Sequence, residues 1–195
     1  MRKLLTILLT VCFAFLLPGC GEKEETEDVT RLQLKKNGEV VHTIVEDFSE
    51  SYYDLEELKN EIQTQADAYN AGTEKVKLNS AELEDGRVRV VMTFQKPEDY
   101  AGFYRQALFC GTVKQAFEAG YDLNVELASA DPEGAGITKA EILDMGERHI
   151  VIFREAVKVI PYGEILYASS DVTVSDNGKE AVSSSGEMLS YIIFK

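Results

Sequence analysis

The sequence predicts an α+β domain: antiparallel sheet with one long helix and two or three short ones. Three observations carry this expectation. Leu55, Leu58, Ile62, Ala66 and Tyr69 recur at helical spacing along one extended segment. Paired β-rich runs flank Asn37-Gly38 and Asp85-Gly86, dipeptides that favour tight hairpins. From Arg148 onward, short β-rich runs follow one another with turn residues between them, which predicts a C-terminal antiparallel meander.

The chain has 195 residues, 45% hydrophobic and 28% charged, the composition of an ordinary globular domain. Lysine and arginine total 20 against 34 acidic residues, a net charge of −14, so a partner built of phosphates, nucleic acid above all, is excluded.

Arg2 and Lys3 precede an apolar run from Leu4 to Leu17, and Pro18, Gly19 and Cys20 follow. This is the pattern of an export signal over residues 1–19. The run is shorter than the roughly 20 residues a membrane-spanning helix needs. Leu17-Pro18-Gly19-Cys20 resembles the lipobox of bacterial lipoproteins, in which the cysteine thiol receives a diacylglyceryl group and the peptide bond before it is cut. Leu at −3 and Gly at −1 fit that pattern, and Pro at −2 is less usual. The resemblance makes Cys20 the lipidation site and the membrane, through that anchor, the first partner. Two acyl chains, at about 0.8 kcal/mol per buried methylene, are enough for stable attachment. Charge would not assist, because the cleaved chain keeps 18 basic and 34 acidic residues, a net −16. Cys12 leaves with the signal and Cys20 carries lipid, so Cys110 has no partner and the fold must rest on its core rather than on a disulfide.

Residues 20–30 comprise the lipidated cysteine and a tether. Gly21 to Thr30 holds five acidic residues and almost nothing apolar, a solvated spacer reaching at most about 35 Å. Residues 31–195 then form a single α+β domain, long enough to bury about 70% of its unfolded surface.

Within it, Arg31 to Lys35 and Glu39 to Glu46 form the first hairpin, with Asn-Gly supplying positive φ angles. Asp54 and Glu57 form a capping-box pattern at the start of the long helix, and Gly72 ends it. Val76 to Glu84 and Arg87 to Gln95 make a second hairpin whose second run is apolar enough for a central strand. Pro97, Glu98 and Asp99 open a short helix with Tyr100, Phe103 and Tyr104 on one side. Thr112 and Gln115 cap another short helix with Val113, Ala116 and Phe117 as its apolar side, the two joined near Cys110-Gly111. Tyr121 to Ala128 alternates as a strand, Asp131 to Gly136 is a loop, and Thr138 with Glu141 caps a further helix ending near Gly146. Six strands follow, at 148–154, 156–160, 164–169, 171–175, 179–183 and 189–194. Leu58, Ile62, Val90, Phe94, Phe117, Val151, Phe153 and Ile192 are the expected core.

Laid out this way, the chain resembles an uncharacterised group of clostridial lipoproteins. The resemblance rests on the lipobox, Tyr52-Tyr53-Asp54-Leu55-Glu56-Glu57-Leu58, Gly111-Thr112-Val113 leading to Ala119-Gly120-Tyr121, Ile165-Leu166-Tyr167-Ala168-Ser169, and Tyr191-Ile192-Ile193-Phe194-Lys195. It implies the outer face of a Gram-positive membrane and no activity or catalytic residue.

Catalytic constellations fail one by one. His42 and His149 are the only histidines; both sit in strand-like runs without a second ligand at helical spacing, so each reads as structural. Ser183-Ser184-Ser185-Gly186 lacks the glycine of a nucleophile elbow and reads as a loop. Cys110 could meet His149 in space, but apolar neighbours predict an inert thiol. Gly134-Ala135-Gly136 lacks the third glycine of a dinucleotide fingerprint and reads as flexibility, and Asp176-Asn177-Gly178 reads as a turn rather than part of a calcium loop. Tyr100, Phe103 and Tyr104 read as core before they read as a ligand platform. No motif asks for a cofactor or a metal. Two function classes remain: a membrane-tethered, non-catalytic module that binds an envelope component, which the failed constellations favour, and an extracytoplasmic hydrolase acting on wall or glycan material through a carboxylate pair.

Overall fold

A computed structural model describes residues 29–195; the signal segment, Cys20 and the acidic run to Asp28 lie outside them. The described chain opens with the expected hairpin, β1 (Arg31–Leu34) and β2 (Val40–Asp47). Of its turn residues only Gly38 takes a positive φ, +93°, and the Lys35 N–H donates to the Glu39 carbonyl at 2.8 Å, so the connection is a three-residue loop. The second hairpin joins β3 (Val76–Glu84) to β4 (Arg87–Phe94). There Asp85 and Gly86 both have positive φ, +48° and +76°, as a two-residue turn matched to strand twist requires.

Between the hairpins lies the long helix, α1 (Leu55–Asn70). The Asp54 carboxylate accepts from the N–H groups of Glu56 and Glu57 at 2.8 and 3.0 Å, satisfying two donors the first turn leaves open. Ile62 and Ala66, one turn apart, are its buried positions, and Leu58 is half-buried against the same core. Next come α2 (Pro97–Tyr104), β5 (Leu108–Thr112) and α3 (Val113–Glu118). The expected direct join between the two helices near Cys110-Gly111 is therefore a strand, with Cys110 opposite Val151. The capping box at Thr112 and Gln115 forms as expected. Phe117 departs from expectation: it is 55% exposed, because the six-residue helix buries only a narrow side and Val113 and Ala116 occupy it.

Tyr121 to Ala128 is largely not a strand. Only β6 (Ala128–Ser129) pairs in a ladder, with Leu127 bridging singly to Ile137. Leu123 and Leu127 are nevertheless buried while Asn124 and Glu126 are exposed, so the alternation reflects an extended segment lying on the core without strand neighbours. After α4 (Lys139–Asp144), where the Glu141 carboxylate accepts from the Thr138 N–H at 2.8 Å, come β7 (His149–Phe153), β8 (Lys158–Ile160), β9 (Ile165–Ala168), β10 (Val172–Val174), β11 (Ala181–Ser183) and β12 (Ser190–Phe194).

Of these six C-terminal strands only β10 and β11 pair in chain order as a meander would. The others are divided between two sheets: one in the order β10-β11-β8-β1-β2-β4-β3, the other in the order β5-β7-β12-β9-β6. All neighbours are antiparallel except β1 and β8, whose parallel pairing of Arg31 with Lys158 joins the N-terminal hairpins to the C-terminal half. The cause lies in β7 and β12. Both are apolar at nearly every position, so each needs cover on two faces. Val151, Phe153, Ile192 and Phe194 enter a core shared with the seven-stranded sheet and α1, whereas Ile150, Ile152, Tyr191 and Ile193 face a second core closed by α3, α4 and Leu123, Leu127 and Ile137.

The turn from β8 to β9 runs against the end of β12. A Cβ on Gly163 would overlap the Lys195 carbonyl oxygen. Gly163→Ala is expected to cost about 1–3 kcal/mol, since backbone must move to admit the methyl group. Urea unfolding reads this directly, and an unchanged midpoint would mean that the C-terminal residue is not held against the turn.

Candidate functional site

The polar groups with the most perturbed chemistry meet where α2 packs under the seven-stranded sheet. Val40, His42 and Ile44 alternate onto the core face of β2, so an imidazole stands at a position the strand period reserves for apolar side chains. It is 3% exposed, opposite Leu32 on one side and Met92 on the other. The rings of Tyr100 and Tyr104, one turn apart on α2, meet it edge-on with centroids 5.3 Å away. Neither ring nitrogen has a hydrogen-bond partner. Burial pushes the His42 pKa down to about 3, so the ring is neutral at physiological pH.

Glu155, just beyond β7, completes the cluster. Its Oε1 lies 4.0 Å from His42 Nε2, too far for a hydrogen bond, and the Tyr100 hydroxyl donates to its Oε2. Burial raises the Glu155 pKa, and the Tyr100 hydrogen bond partly offsets this. Burial also raises the Tyr100 and Tyr104 pKa values, with the neighbouring Glu155 charge adding to it, so both phenols stay protonated. The Tyr104 hydroxyl is satisfied at Met92 Sδ, 3.2 Å away. Of the four polar side chains, Glu155 has a side chain 26% exposed. The arrangement is a cluster of one uncharged imidazole and two protonated phenols beside a carboxyl group that is partly open to solvent.

A second polar cluster bridges the sheets. Asp171 accepts from the Ser190 hydroxyl at 2.5 Å and lies 3.4 Å from Ser183 Oγ, and the two serine oxygens are 3.3 Å apart. Ser183 ends β11, within the strand expected at 179–183, and the rest of the serine run, Ser184-Ser185-Gly186, lies in the expected loop.

The other sequence candidates fall into place separately. Tyr100, Phe103 and Tyr104 pack against Phe94 in the core. Burial pushes the Cys110 thiol up to about 12, with Glu98 adding to it, so it stays protonated. His149 stacks on Phe194 and meets Tyr162 edge-on, as a structural ring does. Cys110 and Tyr162 border a recess of about 90 Å³ that also meets Leu34, Lys35, Val40 and Pro97, room for a few waters and far below the roughly 300 Å³ at which small-molecule sites begin. Gly136 is needed for close approach rather than flexibility, because a Cβ there would lie 2.8 Å from the Leu127 carbonyl oxygen. Asp176-Asn177-Gly178 is a turn, with Gly178 at φ +65°. Among the described residues no three metal-ligating side chains converge, and no helix is long and apolar enough to cross a membrane. Comparisons with known protein families, with curated proteins and with solved structures return no match for this chain.

Proposed function

We propose that this chain is a lipid-anchored protein of the outer face of a Gram-positive membrane whose folded domain binds an envelope component without turning it over. The observation that carries the reading is Arg2-Lys3, the apolar run and Leu17-Pro18-Gly19-Cys20 placed ahead of an acidic spacer. The resemblance to clostridial lipoproteins points the same way. The enclosure of His42 and Tyr100 supports the non-catalytic part, because a polymeric substrate cannot reach groups shut beneath a helix.

Cys20→Ala tests the anchor. Cell fractionation is expected to move the protein from the membrane to the soluble fraction or the medium. Retention of the variant on the membrane would overturn lipid attachment.

A second reading, hydrolysis of wall or glycan material, draws on Glu155: a partly exposed carboxyl group with a raised pKa has the property a general acid needs. Incubation with isolated wall separates the two. Co-sedimentation without product release supports the binding module; product release that disappears in Glu155→Gln establishes the hydrolase.

A further inference from the structure

The aromatic residues of α2 lie against the core, as expected, but another aromatic group stands in the open. Phe48, Tyr53 and Tyr52 form a step between β2 and α1, beside the Asp85-Gly86 turn. Phe48 and Tyr53 stack at 4.8 Å and 21°, and Tyr52 meets Tyr53 at 4.7 Å and 62°. Tyr52 is 67% exposed, more than any other large hydrophobic side chain among the described residues. The segment is pinned on both sides: the Phe48 N–H donates to the Gly86 carbonyl at 2.7 Å, Asp47 accepts from the Ser49 N–H and hydroxyl, and Asp54 caps α1. The rings are thus presented preorganised, and little entropy is lost when something covers them.

Size and charge narrow the occupant, and the envelope-binding reading chooses among what remains. Rings of this kind bury about 150–250 Å² each when fully covered, and two of these three are already half-buried, so the step is much smaller than the ~800 Å² a protein partner needs on each side. Exposed Asp47, Glu50 and Asp54 rim it, on a chain of net charge −14, which repels anionic polymers and anionic lipid surfaces. An uncharged pyranose ring fits both conditions: its axial C–H face lies on an aromatic ring and its hydroxyls donate to the surrounding carboxylates.

We propose that the Phe48–Tyr53–Tyr52 step is a binding subsite for one or two sugar units of an uncharged glycan, with Tyr52 as the stacking residue. The proposal rests on the binding-module reading and names its ligand class.

The full chain, held in a detergent without sugar headgroups, is titrated with N-acetylated chito-oligosaccharide and cello-oligosaccharide, with polyglycerol phosphate as the anionic comparison. Isothermal titration calorimetry reads the binding, because the nine tyrosines of the chain share one emission band. Saturable binding of an uncharged oligosaccharide is expected, weakened about tenfold or more in Tyr52→Ala and largely kept in Tyr52→Phe, which retains the ring. Tyr52 is exposed, so both variants should melt as the parent does. Failure of every uncharged oligosaccharide to bind, equal binding by Tyr52→Ala, or preference for the anionic polymer would each overturn the subsite. So would a Tyr52→Ala effect confined to partition onto phosphatidylglycerol vesicles, which would make the step a membrane contact. Co-sedimentation with isolated wall separates this failure from that of the broader reading: wall binding that survives Tyr52→Ala removes the subsite and leaves the module.

Discussion

Acidification from pH 7 to pH 3 is expected to remove about 4 kcal/mol of folding stability through His42 alone. The folded pKa of about 3 lies below the unfolded value of 6.5, because the ring is buried without a hydrogen-bond partner. Below pH 6.5 the unfolded chain takes up a proton that the folded one refuses, so stability is complete above that pH and declines as pH falls toward 3. Glu155 works in the opposite direction: its folded pKa is raised, so its protonation favours the folded state as pH falls through the carboxylate range. The His42 contribution is therefore isolated by comparing the parent with His42→Leu in urea at a series of pH values. The variant should match or exceed the parent at pH 7, since leucine leaves no orphaned nitrogen, and should lose much less stability by pH 3. Parallel pH profiles for the two proteins would mean that His42 is hydrated or paired in solution.

Phe94→Ala should be the most damaging of single core truncations, at about 3–5 kcal/mol out of the 5–15 kcal/mol typical of a whole domain. Phe94 has no exposed surface. Its strand position pairs with Val40 on one side and Val76 on the other, placing it under α2. There its ring meets Tyr100 at 5.2 Å, Tyr104 at 5.5 Å and Phe103 at 5.7 Å. Truncation empties the site where the helix rests on the sheet, and ring-on-ring geometry adds about 0.5–1.5 kcal/mol per pair to the area lost. Urea unfolding followed by circular dichroism checks the value. A loss below about 1 kcal/mol would show that α2 does not depend on this contact for its seat.

The sequence by itself determined what nearest neighbours along the chain decide. Helix α1 was legible from Asp54 to Gly72 because a cap, a 3.6-residue apolar period and a stop signal all act within one segment. Both hairpins were legible because Asn37-Gly38 and Asp85-Gly86 join strands that pair directly. The α+β class, the dominance of antiparallel pairing and the six C-terminal strand positions followed from the same local signals. Tertiary structure alone decided which strands pair: β8 and β9 are separated by one short turn, yet lie in different sheets because β7 and β12 must bury two faces, and residue order does not encode that cover. It decided the fate of Phe117, apolar on paper but left outside once Val113 and Ala116 had taken the buried side of a short helix. It also set Tyr100 and Tyr104 around His42, as their core reading required, and left Tyr52, which carried no such reading, in solvent. An aromatic side chain carries no local mark of which surface will cover it; that depends on what the rest of the chain packs against it.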